Sequence, residues 1–556
     1  MEKDKTQSSK WPLIFCLGAA IGAVMFLLIY GVNILDPTRD AWLLNYQGDG
    51  TQHYIGWEFF RKSQWHFPIG LTDGLIDEQP ISIIFTDSIP LLAVFFKLLS
   101  PMLPETFQYM GIWGLFSFAM QGGISSLILL RITKNPAFSL IGCIVYIVCP
   151  PVLQRMYGHE ALAGQWVILI AILSWVCQNR QWKFKASPII LWALNGIIAV
   201  SIHMYFVPMI YFIMMGYFIT DFIANKKILR PILCFVSTTA STLLTMYVLG
   251  AFYGSSSYAA GGLGVYSSNF NTFFNGDNNS KFIKAMNKFD GQGEGFAYLG
   301  LGVILGGALA IMLIVIKSEK KGLIRTFKDL PKTKRAAVIG ASLIFVITFL
   351  YAASPKGTLN ARVIYEIKLP EIVAARLSIF RATGRFSWIA EYIIYTSVMY
   401  VISRIPGKKS VIFAIVLLTS VQLLDLKDIM KARNYNDRVM ETYASKLVDP
   451  KWDEIGKKAD EILFAPLPES YLVRTDLFYE FGEYADEYDL DLSCFAVARG
   501  EYANLSKIAD EKLDSMINGT ADENIIVVFF DEKDVPKKNK NIKIYDMDDF
   551  LVATNF

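Results

Sequence analysis

The chain has 556 residues, of which 53% are hydrophobic, 14% aromatic and only 19% charged, against roughly 25% charged residues in soluble proteins. The hydrophobic residues are concentrated in long blocks such as 11–34, 107–130 and 299–316. Each block is long enough to cross a hydrocarbon core about 30 Å thick. This composition excludes a soluble protein and predicts a helical membrane protein. The net charge of +3 does not indicate nucleic-acid binding, because the basic residues lie at the ends of the blocks.

Basic clusters follow alternate hydrophobic blocks, and the positive-inside rule places such clusters in the cytoplasm. This assignment predicts eleven transmembrane helices, a cytoplasmic N-terminus and a C-terminal region outside the cytoplasm. The predicted spans are approximately 11–34, 107–130, 136–153, 163–179, 188–204, 206–224, 232–251, 297–316, 336–353, 386–403 and 410–425.

Residues 81–100 form a twelfth apolar block that disturbs this alternation. The block contains Asp87, Pro90 and Lys97, which are costly or helix-breaking in the middle of a membrane. We therefore predict an interfacial or re-entrant segment on the outer side. The alternative is an ordinary short span, which would invert the topology of every later segment.

The predicted topology leaves long regions outside the membrane. The first outer region covers residues 35–106 and is unusually long for a connection. Shorter outer regions follow at 155–165, 252–296 and 354–385. The chain therefore divides into a transmembrane domain at 1–425 and a charged domain at 426–556. Strand-like runs at 462–464, 525–530 and 542–545 alternate with helical stretches, which predicts a small α/β fold for the second domain.

The first outer region carries the motif GDGTQHYIGW at residues 48–57. If a helix begins near Asp49, then Asp49, Gln52 and His53 share one face of it. Tyr54, Trp57 and Phe60 would then form an aromatic side suited to the lipid interface. The motif predicts an acidic group held at the membrane surface. The alternative is that Asp49 only caps an interfacial helix.

The sequence has no signature of a metal or disulfide site. Five of the six cysteines lie in or beside apolar blocks, and no CxxC spacing occurs. His159 and Glu160 begin a possible HExxH motif, but residue 163 is Ala163, so the pattern fails. These two residues are either structural or, together with Arg155, line a cavity at the membrane surface.

The fourth outer region ends in FRATGRFSW at residues 380–388. Arginines on the outer face oppose the positive-inside trend, so Arg381 and Arg385 are expected to have an anionic partner such as a lipid phosphate. The alternative is that they extend along the interface as membrane anchors.

Six stretches, in order, resemble the membrane-embedded GT-C glycosyltransferases, and most closely a bacterial membrane-protein family of unknown function grouped with them. The stretches extend over nearly the whole chain and are GDGTQHYIGWEFFR, FTDSIPLLAVFFK, RMYGHEALAGQW, GLGVYSSNFNTFF, GEGFAYLGLG and FRATGRFSW.

The resemblance implies a GT-C-like fold in a bacterial cytoplasmic membrane and transfer of a monosaccharide from a polyprenyl-phosphate donor to an extracytoplasmic acceptor, with inversion. It implies an essential acid in the first outer region, which is Asp49, with Asp40 as the rival. Some relatives bind a divalent metal, but the single acid in GDG argues against metal dependence here, and no other cofactor is expected.

The predicted acceptor is a cell-surface polysaccharide or glycolipid. Arg381, Arg385 and His159 are predicted to stabilise the donor phosphate. Substrate contacts are expected from six further residues: Gln52, His53, Asp87, Arg155, Glu160 and Glu294.

Two functions from other classes remain open. A transporter or flippase for a lipid-linked saccharide would place ionisable residues in the middle of its spans, whereas here most charges lie at the outer ends. A non-enzymatic envelope assembly factor would use the C-terminal domain to bind a partner.

Overall fold

The computed structural model describes residues 10–76, 79–156, 158–178, 186–253, 262–319, 321–434, 436, 438–467, 475–498, 502–537 and 539–556. Within these ranges the chain is mostly helical. In the region up to residue 432 the helices are α1 (Trp11–Tyr30), α2 (Ala41–Leu44), α3 (Asp49–Lys62), α4 (Pro90–Leu99), α5 (Met110–Thr133), α6 (Pro136–Ile147), α7 (Pro150–Arg155), α8 (Trp166–Val176), α9 (Ser187–Ile202), α10 (Phe206–Asn225), α11 (Leu229–Val248), α12 (Leu301–Ser318), α13 (Leu323–Lys328), α14 (Lys332–Ala353), α15 (Glu371–Leu377), α16 (Ser387–Ile402), α17 (Lys408–Asp425) and α18 (Lys427–Ala432).

Among the described residues, six helices are long and apolar enough to cross a membrane, namely α1, α5, α10, α11, α12 and α14. The chain is therefore a multi-pass membrane protein. The other predicted spans contain α6, α8, α9 and α16, which have 11–16 residues, and α17, which carries three charged residues. The total of eleven spans remains a prediction.

Small residues let the first two long helices approach closely. A methyl group added at Gly18 would lie 2.6 Å from the carbonyl oxygen of Gly122, and one added at Gly22 would lie 2.0 Å from the carbonyl oxygen of Phe118. Such close backbone contact is how small residues stabilise helix pairs in membranes, where the lipid is as apolar as the side chains. The close contact of α1 with α5 fixes the positions of the two helices between which the first outer region runs.

Residues 81–100 do not form one continuous helix. A short β2 strand (Ile81–Ser82) pairs antiparallel with β1 (Leu71–Thr72) and leads into a 3-10 turn at Ile83–Thr86. Asp87 and Ile89 then adopt left-handed backbone angles before α4 begins. Ten residues of α4 extend about 15 Å, half of a hydrocarbon core about 30 Å thick. This helix cannot cross the bilayer alone. Asp87 lies at the break that precedes the helix.

The aromatic side of α3 is not at the lipid interface. Tyr54 is 3% exposed, and Trp57 and Phe60 are fully buried. The indole of Trp57 donates a hydrogen bond to the carbonyl of Phe107 over 2.8 Å and packs edge-on against Tyr109. The expectation of a lipid-facing aromatic side is therefore wrong, because other segments of the chain, including residues 107–109, cover it.

The third and fourth outer regions join at two glycines. A 3-10 turn at Gln292–Gly295 meets a second one at Thr383–Phe386, and a methyl group added at Gly384 would lie 2.6 Å from the Cα of Gly295. The fourth region also contains an antiparallel hairpin of β3 (Lys356–Leu359) and β4 (Arg362–Glu366). The glycine contact brings the residues on either side, Glu294 and Arg385, into reach of each other.

The C-terminal residues form a five-stranded sheet with helices α19 (Lys451–Gly456), α20 (Thr475–Tyr488) and α21 (Tyr502–Asn518). The strand order is β6-β5-β7-β9-β8, with β5 parallel to β6 and β7 and with β9 antiparallel to β7 and β8. The strands are β5 (Glu461–Phe464), β6 (Asp491–Leu492), β7 (Ile525–Phe529), β8 (Lys543–Met547) and β9 (Phe550–Thr554).

Helix α20 packs against α3 of the first outer region. Lys62 at the end of α3 forms an ion pair with Asp486 over 2.8 Å, and Gly482 of α20 lies against the side chain of Ile55. The C-terminal part of the chain thus rests on the helix that begins with Asp49.

Candidate active site

Asp49 is the first residue of α3, where the positive end of the helix dipole favours a carboxylate. Gly48 precedes it in an extended conformation, and the Gly48 N–H donates to the hydroxyl of Thr51 over 3.3 Å. The Asp49 side chain is 55% accessible, yet protein surrounds it and reduces its hydration. Burial therefore raises its pKa, against the opposing charges of His53 and Arg385. Asp49 is therefore accessible to water although protein surrounds it.

His53 lies one turn further along α3 and is fully buried. Its Nδ1 is 3.1 Å from Oε2 of Glu160, and the Gly158 N–H donates to the other carboxylate oxygen over 2.9 Å. Burial alone would lower the pKa of His53, but the hydrogen bond and charge of Glu160 raise it. A methyl group added at Gly50 would lie 3.3 Å from Glu160, so this glycine makes room for Glu160.

His159 is placed between His53 and His203, with ring centroids 5.2 Å and 5.4 Å away. Its Nε2 is 3.8 Å from Oδ2 of Asp49, and its Nδ1 has no hydrogen-bond partner among the described residues. The pKa of His159 lies well below its usual range because the ring is buried and Arg385 is nearby. His159 is therefore neutral at pH 7.

Asp87 and His203 lie side by side at the other end of this row. Nε2 of His203 is 3.4 Å from Oδ1 of Asp87. Burial alone would raise the pKa of Asp87, but the neighbouring His203 lowers it. Nδ1 of His203 accepts a hydrogen bond from the Tyr205 N–H over 3.1 Å, so the proton of a neutral His203 must be on Nε2.

One group in the described part of the chain offers ligands that could hold a metal ion. Asp87, His159 and His203 each have a ligand atom within 4.8 Å of the other two. A histidine that binds a metal normally donates a hydrogen bond from its other ring nitrogen. His203 instead accepts one there, which keeps a proton on the nitrogen that faces Asp87. A neutral His203 with its protonated Nε2 facing Asp87 fits this geometry better than a bound metal ion.

Two arginines hold Glu294 on the opposite side of the site. Arg155 donates to both carboxylate oxygens over 3.2 Å and 2.9 Å, and Nε of Arg385 donates to Oε2 over 2.7 Å. Burial alone would raise the pKa of Glu294, but the two guanidinium groups hold it well below its usual range. The Arg385 guanidinium also stacks over Tyr205, 4.5 Å from the ring centroid. This Arg155–Glu294–Arg385 cluster carries a net positive charge.

Three of the sequence-predicted residues have other surroundings. Asp40 accepts a hydrogen bond from Tyr54 over 2.9 Å, with no recorded interaction with the histidine row. The guanidinium of Arg381 lies 5.0 Å from the ring centroid of Tyr266; Glu294 is held by Arg155 and Arg385 instead. Gln52 makes a long contact of 3.5 Å to the carbonyl of Phe85. Asp49 thus lies beside the histidine row, and the anionic partner of Arg385 is Glu294, which Arg155 also binds.

Two residues of the site, His203 and Tyr205, were missing from the predicted set. Both lie where α9 gives way to α10, at the outer end of two predicted spans. Histidine is a rare residue in this chain, with four in total, and three of the four form this row. The accumulation of histidines at outer ends was the signal that could have identified His203.

Comparison with solved structures finds similarity to the archaeal oligosaccharyltransferase AglB from Archaeoglobus fulgidus, in complex with an inhibitory peptide and a dolichol-phosphate. The similarity covers 92% of this chain and 69% of that chain, with 10% identity and a TM-score of 0.45. At this level it assigns no substrate and no catalytic residue to the present chain. Comparison with curated proteins finds no match.

Two family descriptions match the chain. Residues 19–427 match a domain of unknown function, DUF6311, and residues 451–555 match the DUF6311 C-terminal domain. Together they include all the residues of the candidate site and the C-terminal sheet. The chain belongs to the DUF6311 family.

Proposed function

We propose that this protein is a membrane-embedded glycosyltransferase that moves a monosaccharide from a polyprenyl-phosphate donor to an acceptor hydroxyl outside the cytoplasm, with inversion. The observation that carries the proposal is the surroundings of Asp49. An accessible carboxylate, a neutral His159 and the positive Arg155–Glu294–Arg385 cluster meet at the ends of apolar helices. A base beside an anion site is what such a transfer requires.

In the proposed reaction the acceptor hydroxyl attacks the anomeric carbon of the donor sugar. The new bond joins the acceptor oxygen to that carbon, and the bond from the carbon to the phosphate oxygen breaks. Asp49 takes the hydroxyl proton, and the electron pair of the broken bond leaves with polyprenyl phosphate. His159 lies 3.8 Å from Asp49, but its lowered pKa makes it a poor acceptor, so Asp49 passes the proton to water, to which its side chain is 55% accessible.

The departing phosphate develops negative charge, which cations stabilise. We assign this role to Arg385 and Arg155, which share Glu294 and keep part of their positive charge for a ligand. Arg381 would contribute from its position beside Tyr266. His53, Gln52, Asp87 and Glu160 would position the sugar or orient the catalytic groups.

The remaining parts of the proposal concern location and organisation. The donor lipid would enter sideways from the bilayer between the helices of residues 1–425, with the site on the outer face of a bacterial cytoplasmic membrane. Residues 426–556 would lie outside the cytoplasm and rest on α3, where Lys62 of α3 forms an ion pair with Asp486. The acceptor would be a cell-surface polysaccharide or glycolipid.

The test is release of free polyprenyl phosphate by the purified protein from a set of labelled polyprenyl-phosphate hexoses. Asp49→Asn is expected to lower turnover by about 100-fold or more, since it removes the base but keeps the side-chain size. Asp428→Asn is the matched control, because Asp428 is also an acid in the first turn of a helix and is exposed. Equal turnover by Asp49→Asn and the wild type would rule out Asp49 as the base. Movement of intact donor across vesicles without cleavage would instead identify a flippase.

A further inference from the structure

A cavity of about 540 Å³ lies between the third and fourth outer regions. One wall comes from the segment that ends in the turn at Gln292–Gly295, and the other comes from β3, β4 and the residues that follow them. The polar residues of its lining are Asp290, Gln292, Lys356, Thr358 and Glu366. Its volume lies within the range of about 300–1,000 Å³ that is usual for small-molecule sites.

Gln292, in one wall of the cavity, uses both the donor and the acceptor capacity of its side-chain amide. The Gln292 amide donates to the hydroxyls of Ser267 and Thr358 over 3.1 Å and 2.7 Å. Its oxygen accepts from the side chain of Asn269 and the backbone of Phe289, each over 3.0 Å. Gln292 is 4% exposed. The bond to Thr358 connects the two outer regions and ties the two walls of the cavity together.

The cavity and the arginine cluster lie on either side of one short turn. Gln292 lines the cavity, whereas Glu294, two residues later, is held by Arg155 and Arg385. Their charges differ: the cluster is positive, whereas the cavity has two exposed carboxylates, Asp290 and Glu366, against one lysine. A phosphate is attracted to the first and repelled by the second.

We propose that this cavity binds the saccharide acceptor of the transfer. This assignment rests on the proposed function and adds to it the location and chemistry of the acceptor site. Carboxylates accept hydrogen bonds from sugar hydroxyls, and the Phe289 ring, 37% exposed with the Lys356 ammonium 5.9 Å from its centroid, offers apolar surface to the C–H groups of a pyranose. The negative carboxylates exclude the donor phosphate, so the two substrates bind on opposite sides of the Gln292–Gly295 turn.

The experiment uses the full-length protein in a detergent without a sugar head group. Binding of maltotriose, cellotriose and chitotriose is measured by saturation-transfer NMR for the wild type and for the double variant Asp290→Asn/Glu366→Gln. The matched control is Glu371→Gln, which changes an exposed acid at the start of α15, outside the cavity lining. Where transfer is detected, the Michaelis constants of donor and acceptor are measured separately.

We expect at least one of the trisaccharides to bind the wild type, and the double variant to bind it about ten- to hundredfold more weakly, because each amide retains a neutral hydrogen bond in place of a charge-assisted one. The acceptor KM should rise by a similar factor, with the donor KM and the Glu371→Gln variant unchanged. Failure of all three trisaccharides to bind the wild type, or equal binding by the double variant, would overturn the acceptor site. Carboxylate-dependent binding by a protein that cleaves no donor would support the cavity assignment and refute the proposed transferase function.

Discussion

The substitution Glu294→Gln tests the Arg155–Glu294–Arg385 cluster most directly. The carboxylate accepts three charge-assisted hydrogen bonds of 3.2, 2.9 and 2.7 Å, and both arginine side chains are 9% exposed. Glutamine retains one acceptor oxygen but no charge, so two buried guanidinium groups would face each other without a counterion. Breaking a buried ion pair by removing one partner costs about 3–5 kcal/mol.

The assay is thermal unfolding of the purified protein followed by intrinsic tryptophan fluorescence, to which eleven tryptophans contribute. A loss of this size should lower Tm by several degrees. Glu366→Gln is the control, since it changes an exposed glutamate and should alter stability by less than about 0.5 kcal/mol. A double variant that also replaces Arg385 by Gln should recover part of the loss, because it removes one of the two uncompensated charges.

The pH dependence follows from the lowered pKa of Glu294. The carboxylate stabilises the folded protein above the usual glutamate pKa of about 4.3, and this contribution is lost as the pH falls through the lower folded pKa. The difference between wild type and Glu294→Gln should therefore be complete at neutral pH and decrease only in strong acid. Equal Tm values for the two proteins at pH 7 would refute the assignment of Glu294 as the counterion of both arginines.

Four further predictions concern the pH dependence of activity, metal dependence, the pH dependence of stability, and membrane topology. The activity of the wild type should fall as the pH drops toward the pKa of Asp49, at a higher pH than for an ordinary aspartate of about 3.9, because burial raises that pKa. Prior treatment with EDTA should leave polyprenyl-phosphate release unchanged, because His203 keeps its proton on the nitrogen facing the candidate metal position. Glu483→Gln in α20 should raise the Tm above pH 8 and have little effect at pH 4, because burial raises the pKa of Glu483 to about 8, so its ionisation destabilises the folded protein increasingly from the usual glutamate pKa of about 4.3 up to that value. A Thr520→Cys variant should react with an impermeant maleimide added outside intact cells, whereas Cys494 is buried and should not.

For each of these four predictions, one result would contradict it. An acid limit at the pH of an unperturbed aspartate would assign the titrating group to another residue. Loss of activity in EDTA that Mn²⁺ or Zn²⁺ restores would place a metal ion at the site. A lower Tm for Glu483→Gln above pH 8 would mean that the ionised carboxylate stabilises the docking of α20 on α3. Labelling of Thr520→Cys only after the membrane is opened would invert the proposed topology.

Several local features could be predicted from the sequence because each depends on neighbouring residues alone. A helix lies within every predicted span, since an apolar block of this length must satisfy its backbone hydrogen bonds internally. The helix that begins at Asp49 follows from a glycine and an acid before a helical pattern. Three of the strands lie at the three apolar runs of the charged C-terminal region.

The tertiary structure decided which of these features meet. The aromatic side of α3 has the composition of a lipid-facing surface, but whether lipid or protein covers it depends on where residues 81–109 fold. Arg155, Glu294 and Arg385 come from three segments separated by more than ninety residues each, and no periodicity connects them. The charge pattern alone paired Arg385 with Arg381, its neighbour in sequence, whereas the contact of Gly295 with Gly384 brings Arg385 to Glu294.

The sequence by itself therefore determined a multi-pass helical protein with an acid at the start of α3. Only the fold decided that Asp49, rather than Asp40, faces the histidines and that His203 completes their row. The physical reason is that hydropathy and helix-start signals act over a few residues, whereas an ion pair or a histidine row requires the packing of distant segments.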